Sequence, residues 1–205
     1  MPNQIQNSNW ERELNPEQLR VIREGDGPCL VLAGAGSGKT RTITYRVAHL
    51  IKSGVAPSSI LLLTFTNKAA NEMLERVSAL LGTRHPGIVG GTFHSVANLI
   101  LRKYASSMSL NPSFTILDQS DSEDVINLLR TLLGLNERAR RFPKKKTIAE
   151  IFSKTVNKDL TLDEVVLQGY SHFAGHLEDL QKLQVTYQQY KDQKALLDYD
   201  DLLVK

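Results

Sequence analysis

A glycine-rich segment constrains this chain more than any other feature of its sequence. Residues 33–40 read AGAGSGKT, directly after an apolar run at 28–33 (PCLVLA) and directly before an amphipathic stretch. The pattern is that of G-x-x-x-x-G-K-[ST], with Ala33 at the first glycine position. The alternative is a chance glycine-rich turn, but the apolar run before it and the helical pattern after it favour a strand–loop–helix unit that cradles phosphate groups.

Each residue type in this segment has a chemical reason to be there. Glycines let the backbone N–H groups turn toward phosphate oxygens, at a helix N-terminus that already favours negative charge. Lys39 can reach the β- and γ-phosphates, and the Thr40 hydroxyl can ligate Mg²⁺. We therefore predict nucleotide binding, with these two as the catalytic residues and Thr40 as the metal ligand. The loop residues predicted to contact the nucleotide are Ala33, Gly34, Ala35, Gly36, Ser37 and Gly38.

Apolar runs alternate with amphipathic stretches as far as about residue 117. The later runs are at 60–65 (ILLLTF), 88–92 and 114–117. Continuous apolar runs are typical of strands buried on both faces, and strands interleaved with helices favour a parallel α/β sheet. From about 119 to 195 we find only helical patterns. Capping boxes are predicted there at Ser120 with Glu123 and at Thr161 with Glu164.

Composition excludes several classes of protein. The net charge is only +3, so any nucleic-acid role must come from local patches. The single cysteine rules out a disulfide framework and a cysteine-ligated zinc site. No apolar run reaches the roughly 18–20 residues that a membrane span needs, and the polar start lacks the apolar stretch of a signal peptide. We expect a cytoplasmic protein without a membrane partner.

Four further segments together narrow the class of protein. They are LNPEQ at 14–18, LLLTFTNKAANEMLERV at 61–77, GGTFHSVANLILR at 90–102 and LLDYDDLL at 196–203. In this order and spacing they closely resemble the N-terminal part of the UvrD/Rep/PcrA family of superfamily 1 DNA helicases. The likeness runs from about Leu14 to the last residue.

The resemblance implies a domain organisation and an activity. It implies a lead-in at 1–13, a RecA-like P-loop subdomain 1A at 14–118, an inserted all-helical subdomain 1B at 119–195 and a return to 1A at 196–205. The parent protein would use ATP and Mg²⁺ to move 3′ to 5′ along single-stranded DNA and to unwind duplex at single-strand/double-strand junctions.

The resemblance also assigns roles to particular residues. Gln18 would read adenine, since its amide offers both a donor and an acceptor. Arg41 would pack near the base or ribose, or else lie on a helix surface. The residues that would contact single-stranded DNA follow two strands and are Thr64, Phe65, Thr66, Asn67 and Lys68 after the first and Thr92, His94 and Ser95 after the second.

Two of these assignments leave alternatives open. Phe65 can stack on a base, or it can belong to the core. The basic segment at 137–146 can contact duplex DNA, or it can simply be solvated. A Ser–His nucleophile is not expected, because His94 and Ser95 are adjacent and no oxyanion motif surrounds them.

One part of a P-loop NTPase is not found. Asp200 and Asp201 are the only candidate acid pair, but Asp198 interrupts the apolar run that should precede such a pair. By resemblance, the Mg²⁺-positioning Asp-Glu pair and a second RecA-like domain would follow beyond this segment. We therefore expect nucleotide binding with negligible hydrolysis and no unwinding. Alternative parents are a helicase–nuclease subunit of the RecB or AddA type and a non-hydrolysing P-loop regulatory module.

Overall fold

The structure is a computed structural model that describes residues 10–84, 87–135 and 142–205. The chain forms two compact units, Met1–Val96 and Ala97–Lys205. Their boundary in the sequence falls within a single helix, Phe93–Tyr104.

The first unit contains helices and a pair of parallel strands. In chain order these elements are α1 (Trp10–Glu13), α2 (Pro16–Glu24), α3 (Lys39–Lys52), β1 (Leu61–Thr64), α4 (Asn67–Leu81), β2 (Val89–Thr92) and the start of α5 (Phe93–Tyr104). The two strands pair in parallel, from Leu61 opposite Val89 to Thr64 opposite Thr92. The predicted parallel arrangement of strands joined by a helix is therefore confirmed here. The core between the helices and the strands is made by Val47, Ile60, Leu62, Met73 and Val77.

The apolar run at 28–33 does not form the strand that its composition predicts. It has no regular secondary structure, and Leu30 and Leu32 expose 85% and 87% of their surface. An apolar run becomes a buried strand only when neighbouring strands satisfy its backbone and other elements cover its faces. None of the described residues pairs with this run, so its prediction as a buried strand is wrong in this structure. The prediction of burial on both faces is also wrong for β1, where Leu61 is half exposed.

The second unit is predominantly helical. After the rest of α5 come β3 (Thr115–Ile116), α6 (Gln119–Leu132), α7 (Lys145–Lys158), α8 (Leu162–Gly169), α9 (Leu177–Lys194), β4 (Leu196–Leu197) and α10 (Tyr199–Val204). The two short strands pair in parallel, Thr115 opposite Leu196. Between residues 119 and 195, the described part of the chain holds helices and no strand, as predicted. Apolar side chains from α6, α7, α8 and α9 form one core, which includes Ile126, Ile148, Ile151, Val166, Leu180 and Leu183.

Capping residues fix where two of these helices begin. Thr161 and Glu164 form the predicted capping box of α8, in which the Thr161 N–H donates to Glu164 Oε2 at 2.8 Å. The box predicted at Ser120 for α6 is wrong. Asp118 is the N-cap instead, and its carboxylate accepts the Asp121 N–H at 2.8 Å. A carboxylate two residues earlier offers an equally good acceptor, so the helix starts before Ser120.

In the ranges that the structure describes, no helix combines the length and the apolar character needed to cross a membrane.

Candidate functional site

The glycine-rich loop leads directly into the N-terminus of α3. Gly36 and Gly38 have φ of 75° and 84°, a backbone region that glycine adopts without steric cost. Gly38 is the N-cap of α3, no side chain caps this helix end, and its first turn contains no acidic residue. The unpaired N–H groups and the positive end of the helix dipole therefore favour an anion at this loop.

Lys39 is held over the same loop by hydrogen bonds to main-chain oxygens. Its Nζ donates to Gly34 O at 2.7 Å and to Ala33 O at 3.1 Å. Ser37 Oγ also donates to Gly34 O, at 2.8 Å, which closes the turn. Thr40 follows in the first turn of α3 and is exposed. An ammonium group, turned glycines and an exposed hydroxyl at one helix end suit a phosphate chain with a bound Mg²⁺.

Gln18 reaches this loop from the beginning of α2. Its Nε2 donates to Ser37 O at 3.0 Å, and its Oε1 accepts the Asn15 N–H at 3.1 Å. A Cβ atom added at Gly38 would lie 2.8 Å from Gln18 Nε2, so this approach requires glycine there. The amide to which the family resemblance assigns adenine recognition therefore fastens the N-terminus of α2 to the glycine-rich loop.

Arg41 contacts an acidic partner that sequence reasoning did not find. Its Nη2 lies 3.2 Å from Glu13 Oε2, and the Tyr45 hydroxyl donates to the same carboxylate oxygen. The Tyr45 hydrogen bond lowers the pKa of Glu13, and the Arg41 guanidinium adds to this effect against the opposing influence of burial. Trp10 packs edge-on against the Tyr45 ring at 5.3 Å. These contacts hold the guanidinium beside the α1 segment and within one helical turn of the loop.

Arg46 is a second cation that sequence reasoning did not single out. It donates to Ile22 O at 2.6 Å and to Gly25 O at 3.0 Å, and it pairs with Asp26 at 2.5 Å. The guanidinium thereby satisfies carbonyl groups at the C-terminus of α2, which have no partner within the helix. Only its long-range contacts reveal this role, since they join residues about twenty positions apart.

The strand pairing brings two of the predicted DNA-contact segments to one edge. Because β1 and β2 are parallel and Thr64 lies opposite Thr92, both segments leave the same end of the sheet. Ligands bind outside the carboxyl ends of parallel strands in open α/β sheets. Phe65 exposes 92% of its surface there, which excludes the core-packing alternative. Asn67 and Lys68 are exposed in the first turn of α4.

Hydroxyl groups at the same edge cap the helices that follow the strands. Thr66 Oγ1 accepts the Ala69 N–H at 3.1 Å at the start of α4. Thr92 Oγ1 accepts the Ser95 N–H at 3.2 Å, and Ser95 Oγ donates to Thr92 O at 2.9 Å. A Cβ at Gly91 would lie 2.5 Å from Ser95 Oγ, so a larger residue would displace this hydroxyl. His94 is exposed next to it.

The acid pair near the C-terminus has partners within the second unit. Lys191 Nζ lies 2.6 Å from both Asp198 Oδ2 and Asp201 Oδ2, with only 4% of its side chain exposed. Asp198 also caps α10, and Asp200 accepts a hydrogen bond from Asn157 Nδ2 at 2.8 Å. These contacts agree with the interpretation that the pair does not end a buried strand as a Mg²⁺-positioning acid. In the part of the chain that the structure covers, no cluster of His, Cys, Asp or Glu forms a metal site.

This buried ion cluster shifts the ionisation of its members. Burial alone would raise the pKa of Asp198, but the Lys191 ammonium and its hydrogen bond lower it below the usual value. Burial and then the neighbouring Asp198 charge raise the pKa of Asp201, against the effect of Lys191. Burial and the Asp198 charge also raise the pKa of Tyr187, whose hydroxyl lies 3.1 Å from Asp198 Oδ2.

The first half of the basic segment at 137–146 falls outside the described residues, which resume at Phe142. Of its described part, Lys145 pairs with Asp124 at 2.5 Å, while Lys144 and Lys146 are exposed. Duplex contact by this segment stays a prediction.

Comparison with known proteins places the chain in a family. The family described as UvrD/REP helicase N-terminal domain matches residues 14–205, which is most of the chain. The chain belongs to the UvrD/Rep helicase family. The family resemblance inferred from the sequence motifs is thus confirmed.

Relatives within the UvrD/Rep family include three bacterial proteins named ATP-dependent DNA helicase PcrA. The Bacillus subtilis protein is 39% identical over 194 residues, covering 93% of this chain and 25% of the relative. The Staphylococcus epidermidis protein is 36% identical over 194 residues, covering 94% and 26%. The Staphylococcus aureus protein is 35% identical over 192 residues, covering 93% and 26%. The chain therefore spans about a quarter of the length of these curated relatives.

Proposed function

We propose that this chain is the N-terminal, ATP-binding part of a superfamily 1 DNA helicase. The parent protein would couple ATP hydrolysis to 3′-to-5′ movement on single-stranded DNA and to unwinding at single-strand/double-strand junctions. The observation that carries the proposal is the sheet edge where an almost fully exposed Phe65 lies beside the β2–α5 turn, in the same unit as the glycine-rich loop. A nucleotide-binding module without a DNA role has no need of an exposed aromatic ring at this position.

On the nucleotide side, each residue has a defined task. The α3 N-terminus and the Lys39 ammonium bind the phosphate oxygens, and the Thr40 hydroxyl ligates the Mg²⁺ that neutralises their charge. Lys39 exchanges its bonds to Ala33 O and Gly34 O for bonds to phosphate. Gln18 presents its remaining amide hydrogen and lone pair toward the adenine, while Arg41 lies near the base or ribose.

On the DNA side, the residues after β1 and β2 form a track along the sheet edge. Phe65 stacks on a base, which is worth about 1–3 kcal/mol per base in proteins that bind single strands. Asn67 bonds a base or sugar, and Lys68 meets a phosphate. Thr92, His94 and Ser95 contact the backbone of the strand.

This segment alone should bind nucleotide with negligible hydrolysis. The residues that directly follow β1 and β2 are FTNK and FHSV, which contain no carboxylate to position Mg²⁺ and water. Helicases of this class hydrolyse ATP between two RecA-like domains, so the second domain of the same parent protein is the partner that completes the site. A RecB- or AddA-type helicase–nuclease remains an alternative parent, because it would share these motifs.

The DNA track is tested by replacing Phe65 with alanine. We expect the variant to bind a fluorescent oligo-dT about 5- to 150-fold more weakly, which corresponds to the loss of one stacked base. Anisotropy titrations at low and moderate salt measure this affinity, with an ATP analogue titrated in parallel. Because Phe65 is 92% exposed, the substitution should leave the thermal midpoint unchanged.

Leu61 supplies a matched control for this experiment. It is a half-exposed apolar residue at the opposite end of β1, so Leu61→Ala should leave oligo-dT binding intact. Equal affinities of the wild type and Phe65→Ala for oligo-dT, with analogue binding intact, would reject the DNA track. The non-hydrolysing nucleotide module would then be the better account.

A further inference from the structure

A carboxylate near the glycine-rich loop belongs to none of the motifs found in the sequence. Glu13 is the last residue of α1, directly before the LNPEQ segment at 14–18. Its Oε2 accepts hydrogen bonds from Arg41 Nη2, at 3.2 Å, and from the Tyr45 hydroxyl. The side chains of Glu13 and Arg41 are both about half exposed, so their ion pair adds little to the stability of the fold. What this contact does fix is the position of the guanidinium.

Tyr45 anchors this carboxylate to the core of the first unit. Its ring is buried with Leu14, and Trp10 packs edge-on against it at 5.3 Å. Burial and the hydrogen bond with Glu13 raise the pKa of Tyr45, so the hydroxyl keeps its proton at neutral pH and donates to the carboxylate. The Arg41 guanidinium also lies 5.7 Å from the centre of the Tyr45 ring, within the range of a cation–π contact. Arg41 is therefore held both by the carboxylate and by the buried ring.

Arg41 and Gln18 border the same side of the glycine-rich loop. A Cβ atom added at Gly38 would lie 2.8 Å from Gln18 Nε2 and 3.9 Å from Arg41 Cβ. The Lys39 ammonium instead bonds the carbonyl groups of the loop, where phosphate is expected. A nucleoside joined to a phosphate chain in the loop can therefore reach Gln18 and Arg41 together, whereas phosphates without a nucleoside need neither.

We infer that Glu13 is a positioning residue for nucleotide binding, which holds the Arg41 guanidinium where it meets the base or ribose. An arginine side chain has many rotamers, and a free one must be ordered each time the ligand binds. Holding it in place before binding is worth about 2- to 10-fold in affinity. The inference rests on the proposed function, because Arg41 has this task only if the loop binds a nucleoside triphosphate.

Two ligands that differ only in the nucleoside test the inference. Calorimetric titration compares a non-hydrolysable ATP analogue with inorganic tripolyphosphate, both with Mg²⁺. Glu13→Ala should weaken binding of the analogue about 2- to 10-fold and leave binding of tripolyphosphate unchanged. A purely structural role for Glu13 would disturb the loop and weaken both ligands by the same factor, which would overturn the inference.

A double-mutant cycle shows whether Glu13 acts through Arg41. The variant with both Glu13→Ala and Arg41→Ala should bind the analogue no more weakly than Arg41→Ala alone. Losses that add in the double variant would contradict the inference, since Glu13 would then act by another route. Glu13→Gln keeps an acceptor oxygen for both partners, so it should restore part of the affinity that Glu13→Ala loses.

Glu24→Ala is the matched control, because it removes an exposed glutamate that pairs with another arginine, Arg20, at 3.8 Å. Its affinity for both ligands should equal that of the wild type. Analogue binding that depends on Lys39 but is unchanged in Glu13→Ala would overturn the inference and leave the proposed function standing. A wild-type chain that does not bind the analogue would reject both.

Discussion

Replacing Lys191 with alanine should destabilise the helical unit by about 3–5 kcal/mol at neutral pH. The Lys191 ammonium is 4% exposed and lies 2.6 Å from the carboxylates of both Asp198 and Asp201. Removing it leaves two partly buried negative charges next to each other without a cation. Among the described residues, no other cation pairs with Asp198 or Asp201, so the loss far exceeds that of a surface ion pair.

The pH dependence of the unfolding free energy of the Lys191→Ala variant is a second and more specific test of the ion cluster. Without the ammonium, burial and mutual repulsion should raise the pKa of both carboxyl groups above their unfolded values. A group whose pKa is raised by folding stabilises the fold below the unfolded pKa and loses that contribution as pH rises through the folded pKa. The stability difference from wild type should therefore be largest near pH 7 and shrink toward about pH 4.

Urea unfolding followed by circular dichroism measures the Lys191 effect. The single tryptophan, Trp10, lies in the first unit, so its fluorescence shows whether that unit unfolds together with the helical one. Lys194→Ala is the matched control, because this lysine is exposed in the last turn of the same helix. A loss below about 1 kcal/mol, the range of an exposed pair, would contradict the importance of the cluster.

Lys39→Ala should weaken binding of an ATP analogue about 10- to 100-fold, the loss expected when a hydrogen bond to a charged group is removed. The side chain is exposed and bonds only loop carbonyls in this structure, so the fold should tolerate the change. The two oxygens that it releases remain open to water. The variant should therefore bind the ATP analogue more weakly while its free energy of unfolding stays the same.

Calorimetric titration with a non-hydrolysable ATP analogue and Mg²⁺ measures the Lys39 effect. Arg20→Ala removes one positive charge from an exposed position on α2 and serves as the control. Analogue binding that survives in Lys39→Ala would remove the loop from the nucleotide site. Loss of binding in both variants would indicate a general charge effect.

Local chemistry explains what the sequence could predict. The strands at 61–64 and 89–92 lie within the predicted apolar runs, and Gly82 ends α4 with the positive φ expected of a C-cap glycine. The capping box at Thr161 was predictable because its two partners are three residues apart. The corresponding box at Asp118 was misplaced by two residues, since several acceptors in a row satisfy the same rule.

Partners that are distant in sequence explain what the sequence could not predict. The contact of Gln18 with Ser37 spans nineteen positions, and that of Tyr45 with Glu13 spans thirty-two. No periodicity or motif encodes which polar groups such side chains meet. The strand prediction at 28–33 was wrong for the same reason. Hydrophobicity is a local property of the run, whereas strand pairing depends on a partner segment elsewhere in the chain. The roles assigned to the site residues stay predictions.

The short parallel pair between β3 and β4 bears on how the second unit folds. Thr115 and Leu196 are about eighty residues apart in sequence, yet each strand contributes only two residues to the ladder. Closing a flexible loop of this length costs about 4 kcal/mol in chain entropy, and two residues of pairing do not recover it. The β3–β4 pair should therefore form late in folding, after α6, α7 and α9 have packed on their shared core and brought the two strands close together. Assembly of the helices would then limit the folding rate of this unit, and the two strands would pair last.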